Sequence, residues 1–217
     1  SFCHCLPNKW HLMSVMLSAS NCLDGICSIT NTSIKDALHN VEKYFDDPSL
    51  VANSSFFLPY LSGERTPHND PHIRGSFHAM KTTTDATNMQ YAVIEGVSFG
   101  ILDGVNAILK VNDNFDKIFM VGGGSRSSFW IELLSTLLNK KLSVCDQSEY
   151  GAALGVARLA MHSDDGIQNK EDIIKEIKIG KSYSPSPNKT DMLLKRYQIW
   201  KDLYSTNKNI ASNLISL

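Results

Sequence analysis

The chain has 217 residues, 42% hydrophobic and 20% charged, with 21 Lys and Arg against 22 Asp and Glu for a net charge of -1. That length suits one large or two small globular domains with a real core. The balanced charge argues against a dedicated nucleic-acid surface, and no apolar run reads as long enough to cross a membrane or as a signal peptide. The chain opens on Ser1-Phe2-Cys3-His4 without a starting Met, which reads as the middle of a longer protein. Cys3, Cys5, Cys22, Cys27 and Cys145 form an odd, scattered set, expected as reduced thiols of a cytoplasmic protein. Cys3-His4-Cys5 with His11 has the residue types of a metal site, but its spacing fits no zinc template, so no metal ligands are assigned.

In chain order, Trp10, Met13, Met16, Leu17, Ser20 and Leu23 keep a helical stripe behind Pro7-Asn8, predicting a first helix from Lys9 to about Ile29 with a Met-rich core face. Ser33 is placed to cap a second helix through Ala37, Val41 and Phe45, ended by Asp46-Asp47-Pro48. Phe56-Phe57-Leu58 reads as a short buried strand stopped by Pro59. Leu61 to Pro71 is polar and rich in turn formers, so it is expected on the surface, where loops carry function. Its Glu64, Arg65, Thr66, His68 and Asp70 suit a phosphate or a sugar hydroxyl; the plainer alternative is an ordinary loop with an internal Glu64–Arg65 pair.

Gly75 to Ala79 is a short strand by position. A long helix is predicted from about Thr87 to Lys110, with the stripe Met89, Val93, Val97, Ile101, Val105 and Ile108. Ala92, Gly96, Gly100 and Gly104 recur at every fourth position and would let a neighbouring helix or sheet come close. Glu95, Asp103 and Asn106 argue against a membrane setting for it. Glu95 is a catalytic candidate, but a lone acid on such a helix is more often solvated or paired.

From Lys117 to Leu138 the pattern changes character. Ile118-Phe119-Met120-Val121 reads as a buried strand, Gly122-Gly123-Gly124 breaks it, and Phe129, Trp130, Leu133, Leu134, Leu137 and Leu138 resume at helical spacing after Ser125-Arg126-Ser127-Ser128. Glycines free the backbone to take positive φ and to be approached closely, and the following helix aims its N–H groups at the same opening. Strand, glycine turn and helix make a plausible nucleotide seat. An ordinary tight turn is the competing reading. The segment lacks the Lys-Ser or Lys-Thr of a P-loop and the third glycine of the dinucleotide fingerprint, so a flat base or ribose fits it as well as phosphate does.

Leu142 to Cys145 is a further strand. Tyr150 to Ala160 reads as a helix whose Gly151, Ala152, Gly155 and Leu159 share a small-residue face suited to lying against another helix, as in hinged domains. Asp164-Asp165-Gly166 would end it. Asp172 to Ile179 reads as a short charged amphipathic piece, Ser182 to Asn188 as a linker or extended crossing, and Asp191 to Leu217 as a final helix anchored by Leu193, Tyr197, Trp200, Leu203 and Tyr204.

Taken together, the chain resembles the C-terminal domain of the FGGY carbohydrate kinase family. The likeness is carried by Trp10-His11-Leu12-Met13-Ser14-Val15-Met16-Leu17, by Phe57-Leu58-Pro59-Tyr60-Leu61-Ser62-Gly63-Glu64-Arg65-Thr66-Pro67-His68 and by Val121-Gly122-Gly123-Gly124-Ser125-Arg126-Ser127-Ser128. A family signature also runs from Gly75 to Glu95 through Phe77, Met80, a gap of seven residues, Asn88-Met89 and Ala92-Val93-Ile94-Glu95, departing at Ala79, where the signature has glycine.

The resemblance implies an α/β, actin-like ATPase (ribonuclease H-like) domain with a mixed central sheet flanked by helices. Residues 1–217 would be the C-terminal, nucleotide-binding domain of a two-domain sugar kinase, with the N-terminal domain and the start of this domain outside the chain. Gly122, Gly123 and Gly124 match the family's adenosine motif, and Ser128 falls where relatives often carry an Asn near the adenine. Gly151 to Ala160 matches the second interdomain connecting helix. Arg65 would stabilise the transferred phosphoryl group. The base, an Asp in a Gly-x-Gly-Asp-Gln/Asn motif, and a Gly-Thr-Ser/Thr-Gly phosphate turn are both expected upstream, so no catalytic base lies in this chain and the isolated chain is expected to be inactive. ATP and magnesium are the implied cofactors, with magnesium held mainly by the other half. ATP/ADP, a pentose and the N-terminal kinase domain are the implied partners. A homodimer stays open. Xylulose is the sugar the likeness favours, with ribulose, gluconate and glycerol as alternatives. A non-catalytic actin-like structural or oligomerisation domain also remains open.

Overall fold

The computed structural model describes residues 1–5, 8–112, 115, 117–146, 150–163 and 178–215. In chain order its elements are β1 (Phe2–Cys3), β2 (Trp10–His11), α1 (Ser20–Ile29), α2 (Ile34–Phe45), α3 (Pro48–Ala52), β3 (Phe56–Leu58), β4 (Ser76–His78), α4 (Ala86–Leu109), β5 (Ile118–Met120), α5 (Ser128–Leu138), β6 (Leu142–Cys145), α6 (Gly151–Ser163), β7 (Ile179–Tyr183) and α7 (Pro187–Ile215), with a 3-10 turn at Gly123–Arg126. They divide into two units, Ser1–Phe115 with Pro187–Leu217, and Asp116–Ser186.

The first unit is assembled on α4. Asp85 caps it by accepting from the Asn88 N–H, and every residue from 90 to 100 is buried. Its apolar contact is therefore not one stripe but the whole circumference of its first half, with α1, α2, β3 and α7 packed around it. The small-residue spacing has the expected use. A Cβ at Gly96 would stand 2.1 Å from the Phe57 carbonyl oxygen of β3. At Gly100 it would meet Met16 Cε at 2.6 Å, and at Gly104 Ser14 Oγ at 2.6 Å. The same Phe57 carbonyl accepts the Trp200 indole N–H of α7 at 2.8 Å, so α4 and α7 meet β3 at one peptide. β3 pairs antiparallel with β4, Phe57 opposite Phe77.

By length and composition α4 could cross a membrane, which corrects the expectation that no run is long enough. Here it is a core helix with an ion pair at its middle. Arg196 of α7 meets both Glu95 oxygens, Nε to Oε1 and Nη2 to Oε2, each at 2.7 Å, and Tyr91 donates to Oε1 at 3.0 Å. Glu95 is 1% and Arg196 5% exposed, so the acid is a structural partner rather than a solvated or catalytic one.

The predicted first helix is corrected as well. Only Ser20–Ile29 is helical, and Trp10 (67% exposed) and Met13 (51%) are not core. The reason lies in the hydrogen bonds of the preceding segment. The Val15 N–H donates to Thr66 Oγ1 (3.0 Å), the Thr66 N–H to the Val15 carbonyl (3.0 Å) and the Leu17 N–H to Glu64 Oε1 (3.1 Å). Donors committed to a distant loop are not available to a helix. Cys22, Leu23, Ile26 and Cys27 alone form the buried face of α1. α2 follows expectation, with Ser33 accepting from the Asp36 N–H.

The second unit holds a mixed three-stranded sheet in the order β5-β6-β7. β5 and β6 are parallel, Ile118 opposite Leu142, with α5 between them in sequence. Phe129, Trp130, Ile131, Leu133, Leu134 and Leu137 bury the inner face of α5. β7 adds antiparallel to β6, Tyr183 opposite Leu142 and Ser182 opposite Ser143. The expected linker from Ser182 to Asn188 therefore begins inside a strand and ends inside α7. β7 escaped notice because its residues are mostly exposed and its centre is Gly180-Lys181-Ser182. No described residue of α6 is buried; a Cβ at Gly155 meets nothing within 4 Å, and one at Gly151 only touches the Val121 side chain at 3.9 Å, so among the described residues its small-residue face is largely open. The readings made for residues 164–166 and for residues 172–177 fall outside the described residues.

Candidate functional site

The glycine turn follows β5 directly. Gly122 takes φ +84°, a conformation open to glycine and strained for other residues. The Ser125 N–H and Oγ both donate to the Gly122 carbonyl, at 3.1 and 2.7 Å, which fixes the turn. Ser127 caps α5, its Oγ accepting from the Trp130 N–H at 3.2 Å. A Cβ built on Gly122, Gly123 or Gly124 meets nothing within 4 Å. Gly122 and Gly123 are exposed and Gly124 half-buried. Bare backbone thus lies open at the positive end of an eleven-residue helix, an arrangement that favours an electron-rich or flat ligand group.

Ser128, the first residue of α5, is exposed, and its Oγ accepts from the Tyr183 hydroxyl at 2.9 Å. Gly122, Gly123, Gly124 and Ser128 accordingly stand together in one unit. Tyr183 is the neighbour the sequence reading missed. Its signal was the strand pairing of β7 with β6, which the polar composition of β7 hid.

Arg65 belongs to the other unit. Its loop is closed by two main-chain bonds between Glu64 and Asp70, at 2.9 and 2.8 Å. Four of the five polar candidates there are engaged within the fold, as the ordinary-loop reading expects. Glu64 is 1% exposed, and its Oε1 accepts from the Leu17 N–H and, at 2.7 Å, from the Arg65 N–H. The internal Glu64–Arg65 pair is thus main chain to carboxylate, not a side-chain ion pair. Burial pushes the Glu64 carboxyl up, against the lowering effect of those two N–H groups. Thr66 Oγ1 accepts from Val15. His68 stacks on Tyr204 with ring centroids 3.6 Å apart and meets the Tyr60 hydroxyl at 3.1 Å; burial lowers its pKa. Desolvation would raise Asp70, but the His72 N–H, the Tyr204 hydroxyl and the Ile73 N–H outweigh it and hold the carboxyl below its usual value. Only the Arg65 guanidinium is left exposed, with no hydrogen bond or ion pair among the described residues.

At β1 and β2, which pair antiparallel, His4 Nδ1 lies 3.5 Å from Cys5 Sγ, and the His11 ring stacks on Phe2. Among the described residues no group of three or more His, Cys, Asp or Glu side chains could hold a metal ion.

Comparison with known proteins matches residues 3–163 to the FGGY family of carbohydrate kinases, C-terminal domain. The xylulose kinase of Escherichia coli (strain K12) is 34% identical over 204 residues, covering 94% of this chain and 42% of that protein. The xylulose kinase of Klebsiella pneumoniae is 32% identical over 212 residues, covering 98% and 43%. Among solved structures, the xyloylose kinase from Brucella ovis superposes with a TM-score of 0.83 at 33% identity, covering 96% of this chain and 42% of that one. The chain thus spans about two fifths of the length of these relatives. The fold it shares with them is the actin-like ATPase architecture, of mixed sheet and flanking helices. An open glycine turn between a strand and a capped helix, a match over most of the chain and a shared fold converge on one conclusion: the chain belongs to the FGGY family of carbohydrate kinases.

Proposed function

We propose that this chain is the C-terminal, nucleotide-binding part of an ATP-dependent sugar kinase that converts xylulose and ATP to xylulose 5-phosphate and ADP. The observation that carries the nucleotide side is the Gly122–Gly124 turn, whose added Cβ atoms would meet nothing within 4 Å. Base and ribose would rest on that backbone, with Ser128 beside the adenine. The choice of sugar is supported by the names of the relatives, and ribulose, gluconate and glycerol are its competitors.

Phosphoryl transfer depends on positioning and on stabilising charge. In this reading the exposed Arg65 guanidinium meets the charge that develops on the transferred group. The base that takes the sugar hydroxyl's proton would be an Asp upstream of these residues. Magnesium would be held mainly by residues outside this chain and would supply neutralisation of the charge on the ATP phosphates. The small and apolar residues of α6, none of them buried among the described residues, support its role as a connecting helix toward the N-terminal domain. All five cysteines are free, which suits a reducing, cytoplasmic setting.

The full chain that carries these residues, assayed with ATP and each of the four sugars, should show its highest kcat/KM with xylulose. No sugar-dependent ADP release with any of them would overturn the proposal. The 217-residue chain alone should show no turnover and bind ADP more weakly than micromolar; turnover by it would contradict the assignment of the reacting groups elsewhere.

A further inference from the structure

We propose that Tyr183 fixes Ser128 as a hydrogen-bond donor to the bound nucleoside, so that the pair reads a ring nitrogen of the base. This rests on the glycine turn being the nucleoside seat and goes one step beyond it, to what the seat recognises. The two hydroxyls lie 2.9 Å apart. A phenol is the stronger acid of the two, so Tyr183 donates and the Ser128 oxygen accepts. Ser128 Oγ has no other partner among the described residues, and its own hydrogen is left over. An oxygen that already accepts a hydrogen bond is polarised into a better donor.

The neighbouring serines are committed to the backbone. Ser125 Oγ donates to the Gly122 carbonyl, and Ser127 Oγ accepts from the Trp130 N–H. Tyr183 is placed by the strand ladder. β7 sets it opposite Leu142 of β6, and the Ser135 hydroxyl of α5, 2.8 Å from the Lys140 carbonyl, shares its hydrogen with the Tyr183 carbonyl at 3.1 Å. Adenine offers ring-nitrogen acceptors at its edges. If the base instead donated to Ser128, the serine hydrogen would be stranded once the ring excluded water, and stranding a donor is costly.

The test measures binding of ADP and of 1-deaza-, 3-deaza- and 7-deaza-ADP by calorimetry, on the full chain that carries these residues and on its Ser128→Ala and Tyr183→Phe variants. One deaza analogue should bind the unmodified protein about three- to tenfold more weakly than ADP. Ser128→Ala should bind ADP more weakly by a similar factor and no longer distinguish that analogue. Tyr183→Phe, which keeps the ring, should lose most of the discrimination, and the double variant should be no worse than Ser128→Ala. The inference is overturned if ADP binds but all three analogues bind equally well, or if Tyr183→Phe discriminates as well as the unmodified protein. Failure of the unmodified protein to bind ADP at all would overturn the nucleoside seat itself.

Discussion

Replacing Arg196 with Met should be among the most destabilising single changes in the first unit. Arg196 is 5% exposed and joins α7 to α4 through both Glu95 oxygens at 2.7 Å. It also donates to the Ser54 and Ser55 carbonyls at 3.3 to 3.4 Å and stands 4.2 Å over the Phe56 ring. Without it Glu95 is a carboxylate at 1% exposure whose remaining partner is the Tyr91 hydroxyl. Breaking a buried pair from one side costs about 3–5 kcal/mol. That is a large part of a typical domain's net stability. Removing both charges with a Glu95→Met/Arg196→Met pair should recover most of the loss, because no charge is then buried alone. A deficit of roughly 1–2 kcal/mol should persist for the carbonyls that lose their donor. Urea unfolding followed by circular dichroism measures all three proteins. A loss below about 1 kcal/mol for the single variant, or a double variant no better than the single, would refute the reasoning.

Four further outcomes follow from the same structure. Gly96→Ala should destabilise by at least about 2 kcal/mol, since its Cβ would sit 2.1 Å from a backbone oxygen that cannot yield. Gly25→Ala, on the exposed face of α1 with nothing within 4 Å, should instead stabilise by roughly 0.5–1 kcal/mol in the same urea assay. Arg65→Ala should lower kcat about a hundredfold without moving the melting temperature, because its guanidinium has no hydrogen bond or ion pair among the described residues; an unchanged kcat removes it from the mechanism. His68 gives a pH dependence. Its folded pKa lies below the usual 6.5, so the unfolded chain takes the proton first and stability falls as pH drops from about that value toward the folded one. His68→Gln should flatten part of that slope; His78, whose burial acts with the same sign, adds to it, while the carboxyls of Glu64 and Asp103, raised by burial, act against it. An unaltered slope between pH 7 and pH 5, read from unfolding midpoints, would count against this.

What could be read from the residues was local, and what could not was remote. Ser33 caps α2 three residues on, and the glycine triplet, the Ser127 cap and the periodic face of α5 are contiguous, so each was legible where it stood. Residues 9–19 looked helical because their spacing is helical. Their amides, however, bond Glu64 and Thr66, 47 and 51 positions along the chain. The polar loop looked like a ligand surface for the same reason. The Tyr204 hydroxyl that engages Asp70 comes from 134 positions away. Glu95 announced that it needed a partner, but nothing nearby named Arg196, 101 residues downstream. Tyr183 was lost because a polar edge strand carries no alternating hydrophobic signal.

The central claim is that bare backbone at Gly122–Gly124 seats the nucleoside, and Gly123→Val tests it most directly. Gly122 has positive φ, and a side chain there would be strained whatever its role. Gly123 does not, and its Cβ would enter open space, so valine should leave folding intact while occupying the seat. Titration of ADP into the full chain should show affinity weakened at least about tenfold with an unchanged melting temperature. Equal ADP affinity in the variant and the unmodified protein would contradict the account.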